Sequence, residues 1–366
     1  MRIMISGGGT GGHIYPAIAI ANQITEKHPQ AKIQFVGTAK GLESELIPKA
    51  GYEIKHITVS YLRRKISFHN VKSIAKLIKG LVEARRLIKD FNPDVVIGTG
   101  GFVCGPVLYM ATKLGYKTLI HEQNVFPGLT NRVLGNYVDR IALSFEEAER
   151  YFKSKEKLII TGNPIRREFL EISQEEATQK YNSGSKKHLI LVVGGSGGAA
   201  RINETVVNLL KKHPNNDFKI LLVTGQRHFE TIKLQLGKKQ DTLRYNDVLP
   251  YLTNMPHALK ACDLLICSAG AITIAEVTAV GKPAIIIPKS YTAGNHQEFN
   301  AKALEEKGAA IMIKEEVLNA DRLYLEITGL LSDKKRLEQM AKASALSAKT
   351  QALEMIYAEV ISMIKS

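Results

Sequence analysis

The chain has 366 residues, 45% of them hydrophobic and 23% charged, with a formal net charge of +15 and a pI near 9.5. That length suits two domains, no apolar run approaches a membrane-spanning helix, and the three cysteines (Cys104, Cys262, Cys267) have no metal-ligand spacing, as expected of buried thiols in a reducing cytosol. The basic balance points to an anionic partner. The N-terminus enters a strand directly, so no signal peptide is expected.

In chain order, the apolar run Ile3-Met4-Ile5 leads into Ser6-Gly7-Gly8-Gly9-Thr10-Gly11-Gly12-His13, and a helical run follows to about Lys27. Strand, glycine turn, helix is the arrangement that offers backbone N–H groups and a helix dipole to an anion, usually phosphate. Glycine lets the ligand approach the backbone and allows positive φ. His13 adds an ionisable ring at the mouth of that site. Gly7-x-Gly9-x-x-Gly12 also fits the dinucleotide fingerprint, but that reading needs an acid ending the second strand. The strand Ile33-Gln34-Phe35-Val36 ends in Gly37-Thr38, which argues against a nicotinamide enzyme.

Further strands are expected at Asp94–Ile97, Thr118–His121, Arg140–Ser144 and Leu158–Thr161, separated by helices near 40–50, 70–90, 104–115, 126–136 and 145–152. Residues 61–90 hold nine Lys/Arg and two acids. Within them Ile74, Leu77, Ile78 and Leu81 form an apolar helix stripe, preceded by Tyr61, Leu62, Ile66 and Phe68 beside Arg63, Arg64 and Lys65. Such a stripe either packs in the core or, with its lysines, meets an anionic membrane surface. Aromatic-interleaved basic motifs of RNA binders and tryptophan are absent, so no nucleic-acid partner is expected. A second glycine turn, Gly98-Thr99-Gly100-Gly101, follows the third strand, and His121-Glu122-Gln123-Asn124 follows the fourth.

Gly162-Asn163-Pro164 breaks the pattern, with Arg166 beside it and a polar stretch from Gln174 to Lys187. The alternation restarts at His188–Val193 with a third turn, Gly194-Gly195-Ser196-Gly197-Gly198. Strands are expected at Phe218–Val223, Leu264–Cys267, Ala284–Pro288 and Ala310–Ile313. Helices are expected near 199–212, 227–236, 271–280, 296–307, 318–331 and 334–364. The run Ser268 to Glu276 is rich in small residues, and Glu276 offers a carboxylate suited to vicinal hydroxyls. Asn295 to Asn300 places polar amides at another strand end. Three glycine turns suggest more than one bound phosphorylated group. Two doubly wound α/β domains follow, 1–163 and 188–345, joined by a linker at 164–187 and facing each other across a cleft. No Asp-x-Asp metal–diphosphate clamp and no P-loop motif occurs.

Taken together, Gly7–Pro16, Gly98–Pro106, His121–Asn131, Gly162–Arg166, Gly194–Asn203, Gly270–Glu276 and Gln297–Ala301 resemble the MurG family of bacterial glycosyltransferases, in order and over nearly the whole chain. The resemblance implies two facing Rossmann-like domains (GT-B type), with a final helix, 346–366, crossing back onto the first. It implies inverting transfer of N-acetylglucosamine from UDP-N-acetylglucosamine to the C4 hydroxyl of undecaprenyl-pyrophosphoryl-N-acetylmuramyl-pentapeptide, at the cytoplasmic face of the membrane, with no cofactor and no metal. By carry-over, Ser196 meets the diphosphate, Leu252 packs near the uracil, and Ala271, Ile272 and Thr273 line the donor site. Glu276 then holds the ribose and Gln297 reads the sugar. Thr10, Gly11, Gly12, Asn124 and Arg166 complete the pocket. His13 is the candidate general base, since histidine titrates near neutral pH, or a ligand of the acceptor diphosphate. Glu122 is the rival base. Departures from the family pattern include Phe102, Cys104, Gly197, Ser268 and Glu298. A UDP-sugar 2-epimerase shares the fold, but would need further acid–base carboxylates and no basic membrane face.

Overall fold

A computed structural model describes residues 1–60, 68–181, 187–195, 197–214, 216–237 and 247–365. The chain divides into two compact units, Met1–Ile165 with Lys349–Ser366, and Arg166–Ala348.

The first unit is built on seven strands: β1 (Arg2–Gly7), β2 (Lys32–Gly37), β3 (Glu53–His56), β4 (Val95–Gly100), β5 (Lys117–Glu122), β6 (Arg140–Leu143) and β7 (Leu158–Ile160). They pair in parallel in the order β3-β2-β1-β4-β5-β6-β7. Both sheet faces are covered, which is why the strands read as unbroken apolar runs. Alternate residues serve opposite layers. Ile3 and Ile5 pack with Ile14, Ala17, Ile20 and Ile24 of the helix Gly11–Lys27, and Met4 packs with Val107, Leu108 and Ala111 of the helix Cys104–Lys113. The last helix, Ala352–Lys365, returns to this unit and buries Ile356, Val360 and Met363 in the first of those layers.

The second unit carries β8 (His188–Val193), β9 (Phe218–Val223), β10 (Asp247–Leu249), β11 (Leu264–Cys267), β12 (Ala284–Ile286) and β13 (Ala310–Met312), all parallel, in the order β10-β9-β8-β11-β12-β13. Ile190 and Val192 pack against Ile202, Val206 and Leu210 of the helix Ala200–Lys212 and Leu323 and Ile327 of the helix Ala320–Ser332. In each sheet the strand order reverses once, between β1 and β4 and between β8 and β11. Those switch points are where ligands of open α/β sheets bind, beyond the strand carboxyl ends.

The structure differs from the sequence expectation in several places. β3 and β10 were not expected. Both are short edge strands, and β3 (Glu-Ile-Lys-His) is largely exposed, so neither shows an apolar run. The stretch 164–187, read as a linker, carries the helices Glu168–Glu171 and Gln174–Tyr181, whose Phe169 and Ala177 are buried in the second unit. Their polar surface hid two packing residues. The helix expected over 334–364 is two helices, Lys334–Leu346 and Ala352–Lys365, and the chain passes from one unit to the other between them.

Candidate functional sites at the two switch points

In the first unit the turn after β1 and the turn after β4 form one structure. Gly8 N–H donates to Gly100 O at 3.2 Å. A Cβ on Gly101, whose φ is +88°, would stand 2.3 Å from the Gly8 carbonyl oxygen. Only glycine permits that approach. The first two glycine turns are therefore one candidate site with its packing partner. Cys104 joins the two turns. Its Sγ donates to Ser6 O at 2.8 Å and accepts from Gly100 N–H at 3.2 Å. Burial pushes this thiol up to about 12, so it stays protonated and works as a hydroxyl-like linker.

Thr10 is the N-cap of the helix Gly11–Lys27, in extended conformation, and its side chain makes no cap hydrogen bond. The first turn of that helix holds no acid. Thr10 and Gly12 are exposed, and Gly11 is half-buried. The N-terminus thus presents backbone donors and its dipole to solvent. His13 is half-buried beside it, with Nδ1 2.9 Å from Gly8 O and 3.4 Å from Thr10 Oγ1. A carbonyl oxygen can only accept, so Nδ1 carries the hydrogen and Nε2 is the nitrogen that can take a proton.

Sequence reasoning missed Glu43. Glu43 opens the helix Glu43–Lys49, six residues beyond the end of β2, and turns inward. Its buried carboxylate accepts from Gly9 N–H at 3.0 Å, Thr38 N–H at 3.0 Å and Thr38 Oγ at 2.7 Å. Burial works to raise this carboxyl, but those hydrogen bonds outweigh it and hold the pKa below the usual value. The signal for it was Gly37, Gly41 and Gly8. A Cβ on any of the three would meet the Glu43 side chain at 2.6 Å or less.

Glu122 lies at the end of β5, buried, with both oxygens engaged. It accepts from Asn124 N–H at 3.0 Å, Asn124 Nδ2 at 3.2 Å, Gly128 N–H at 3.1 Å and Asn131 Nδ2 at 2.8 Å. This geometry orders the loop that carries half-buried Asn124 and gives Glu122 no open lone pair toward solvent. His121 is buried, its Nε2 3.0 Å from Gly162 O, and burial lowers it to about 4, so it is a neutral structural ring.

In the second unit the turn after β8 packs on the end of β9. A Cβ on Gly198 (φ +73°) would stand 2.1 Å from Thr224 O, and one on Gly225 would stand 2.7 Å from the Gly198 Cα. Buried Asn203 donates to the same Thr224 carbonyl at 2.9 Å. Ser196 lies outside the described residues. Lys289, also missed from sequence, donates through Nζ to Gly198 O at 2.7 Å and places a cation at this turn. Burial lowers its pKa against the opposing pull of Glu315. The Lys289 N–H donates to Gln297 Oε1 at 3.0 Å, which fixes the amide orientation of this buried residue.

After β11, Ser268 and Gly270 lead into the helix Ala271–Val280, with Gly270 as an extended N-cap and Ala271, Ile272 and Thr273 in the first turn. Glu276 is half-buried on that helix. Burial pushes its carboxyl up to about 7, and the Arg166 guanidinium opposes the rise. Arg166 opens the second unit and lies over the Phe169 ring at 5.0 Å. Leu252 is buried in the loop after β10. The second switch point thus combines a glycine turn, a lysine, two first-turn helix ends, an amide and a tunable carboxylate.

The helix Phe68–Phe91 settles the position of the basic stripe. Ser73, Gly80, Ala84 and Ile88 face inward, while Ile74, Ile78 and Val82 are 51%, 60% and 65% exposed. Leu77 and Leu81 are half-buried. The apolar stripe is therefore mostly a surface, bordered by exposed Lys76, Lys79, Arg85 and Arg86. Tyr61 to Lys65 and Ile66 lie outside the described residues. Among the described residues no helix is long and apolar enough to cross a membrane.

Comparison with known proteins follows the same division. Residues 3–143 match the glycosyltransferase family 28 N-terminal domain and residues 189–356 its C-terminal domain. The chain is 57% identical, over the full length of both, to the UDP-N-acetylglucosamine--N-acetylmuramyl-(pentapeptide) pyrophosphoryl-undecaprenol N-acetylglucosamine transferase of Alkaliphilus oremlandii. Among solved structures it is similar to MurG of Acinetobacter baumannii, with a TM-score of 0.80, 28% identity and 99% of each chain covered. The UDP-GlcNAc 2-epimerase of Neisseria meningitidis shares the fold alone, at a TM-score of 0.66 and 14% identity over 99% of this chain and 100% of that one. With both domains matched and a full-length relative above half identity, the chain belongs to the MurG family of glycosyltransferase family 28.

Proposed function

We infer that the chain is a hexosyltransferase moving N-acetylglucosamine from UDP-N-acetylglucosamine to the lipid-linked N-acetylmuramyl-pentapeptide of peptidoglycan synthesis. The observation that carries this is full-length identity of 57% to a transferase so named. The epimerase alternative rests on shared fold only and is not favoured.

The second unit is assigned the donor. Backbone N–H groups of the turn after β8 and Lys289 would neutralise the diphosphate. Ionised Glu276 would accept from the ribose hydroxyls, Leu252 would lie against the uracil, and the Gln297 NH₂ would meet the sugar. Arg166 would add a cation for the leaving group. The first unit is assigned the acceptor, and in place of the donor-pocket role that the resemblance implies for Thr10, Gly11 and Gly12, their exposed helix N-terminus is assigned its diphosphate. The acceptor C4 oxygen attacks the anomeric carbon, its O–H proton passes to His13 Nε2, and the bond from the anomeric carbon to the phosphate oxygen breaks. UDP departs carrying the electron pair, so preorganised donors at that turn stabilise the developing charge. His13 is favoured over Glu122 because the Gly8 carbonyl leaves its Nε2 as the basic nitrogen, while Glu122 has four donors on its two oxygens.

The exposed stripe of the helix Phe68–Phe91 with its lysines is the proposed contact with the cytoplasmic face of the membrane, where a lipid-tailed acceptor must be met. The test of the reaction is incubation with UDP-N-acetylglucosamine and a lipid acceptor analogue. Formation of a β-1,4-linked disaccharide is expected. Conversion of the donor to its C2 epimer without transfer would overturn the reading.

A further inference from the structure

We propose that Glu43 is a positioning residue that acts on His13 through a single peptide unit, Gly8–Gly9. This rests on the reading of His13 as the base.

Peptide geometry links the two side chains. The C=O of Gly8 and the N–H of Gly9 belong to one planar trans unit and point in opposite directions. Glu43 Oε2 holds that N–H at 3.0 Å. The carbonyl is thereby aimed away from Glu43, and His13 Nδ1 meets it at 2.9 Å. Gly9 has φ +85°, a conformation that makes this orientation accessible. The carboxylate itself cannot move away. Thr38 donates twice to Oε1, at 3.0 and 2.7 Å, and Gly8, Gly37 and Gly41 leave a space that the side chain fills.

The electronic consequence follows from hydrogen-bond cooperativity. A negative charge on the N–H side polarises the amide and makes its oxygen a stronger acceptor. That acceptor fixes the Nδ1–H tautomer and stabilises the imidazolium formed when Nε2 takes a proton. An aspartate touching Nδ1 does the same in a hydrolase triad; here one peptide stands between carboxylate and ring. Cys104 also lies at this turn, and its Sγ faces Ser6 O and Gly100. Its burial keeps it a neutral thiol across the working pH range.

The experiment uses the full chain, labelled with ¹⁵N-histidine, as wild type, Glu43→Gln and Glu43→Asp. Imidazole ¹⁵N shifts report the His13 tautomer and titration midpoint, and steady-state kinetics report kcat against pH and KM for UDP-N-acetylglucosamine. Glu43→Gln is expected to lower kcat by about 10–100-fold, move the acidic limb of the kcat profile to lower pH, and lower the His13 midpoint. KM for the donor stays within about two-fold, and Glu43→Asp recovers part of the loss. A folded Glu43→Gln chain with an unchanged tautomer, midpoint and kcat profile overturns the proposal. Should that variant not fold, wild-type His13 decides alone, since an Nε2–H tautomer overturns the relay and an Nδ1–H tautomer with an elevated midpoint supports it. Full turnover by His13→Ala would remove His13 as the base, while the imidazole shifts still judge the link to Glu43.

Discussion

At the scale of single residues, Glu276, the proposed ribose ligand, is expected to couple donor binding to pH. Burial pushes its carboxyl up to about 7 in the folded chain, against 4.5 for an unperturbed glutamate. The folded state therefore holds the proton more tightly, and stability of the second unit falls as pH rises from about 4.5 to 7, then levels off. Ribose hydroxyls favour the ionised form. UDP is thus expected to bind about ten-fold more weakly at pH 6 than at pH 8, and Glu276→Gln to erase that portion of the pH dependence. Calorimetric titration at the two pH values checks it, with the variant separating Glu276 from the ionisation of UDP itself. His13→Ala is expected to lower turnover by roughly 10²–10⁴ with donor binding retained. A normal kcat with only the acceptor KM raised would make His13 a diphosphate ligand. The glycines of the second unit offer a matched pair. Gly198→Ala forces a Cβ to 2.1 Å from Thr224 O at positive φ, and is expected to cost about 1–3 kcal/mol of stability or more. Gly197→Ala meets nothing within 4 Å, so its melting temperature should match wild type. Weakened UDP binding by Gly197→Ala alone would then report a ligand against that backbone.

At the scale of elements, the helix Phe68–Phe91 turns three small residues and one large one, Ile88, toward the domain. Small Ser73, Gly80 and Ala84 let it lie close to the domain, and a Cβ on Gly80 would stand 2.7 Å from Thr58 O. The larger Ile74, Ile78 and Val82 are left outside. An apolar stripe flanked by lysines suits an anionic lipid surface, where each basic residue contributes about 1 kcal/mol at low salt. Changing Lys76, Lys79, Arg85 and Arg86 to Gln is expected to weaken binding to phosphatidylglycerol vesicles by about two to three orders of magnitude. Activity on a soluble acceptor analogue should persist. Equal vesicle binding by variant and wild type at low salt would place the membrane contact elsewhere.

At the scale of the whole molecule, the C-terminal segment belongs to the first unit although the chain reaches it only after completing the second. Ile356, Val360 and Met363 are almost wholly buried there, and Arg140 Nε pairs with Glu359 at 2.6 Å. Removing residues 349–366 deletes three core side chains worth roughly 1.5–3 kcal/mol each, comparable with the stability of a domain. Calorimetry of the truncated chain should show one transition lost or shifted sharply down and the other, from the second unit, little changed. UDP should still protect that remaining transition. Two unchanged transitions would show that the helix contributes nothing to the first unit.

The parallel α/β class, the restart of the strand–glycine–helix pattern at His188–Val193 and the family are legible in residue type alone. Buried central strands must be apolar on both faces, and single positions in the glycine turns, such as Gly101 and Gly198, admit no Cβ, so these features are written in residue type. His13, Glu276 and Gln297 were legible as candidates because they follow such turns and strand ends. Tertiary structure alone decided the rest. Glu43 and Lys289 are ordinary charged residues in the sequence, and become part of the two sites only because folding brings Gly9 and Gly198 against them. Glu122 looked like an open carboxylate until Asn124, Gly128 and Asn131 closed on it. The break between Leu346 and Ala352 lies in a run without glycine or proline, where local propensity favours one continuous helix. Packing of Ile356, Val360 and Met363 on the first unit outweighs that local preference, and a contact between residues so distant in sequence leaves no mark on the composition around the break.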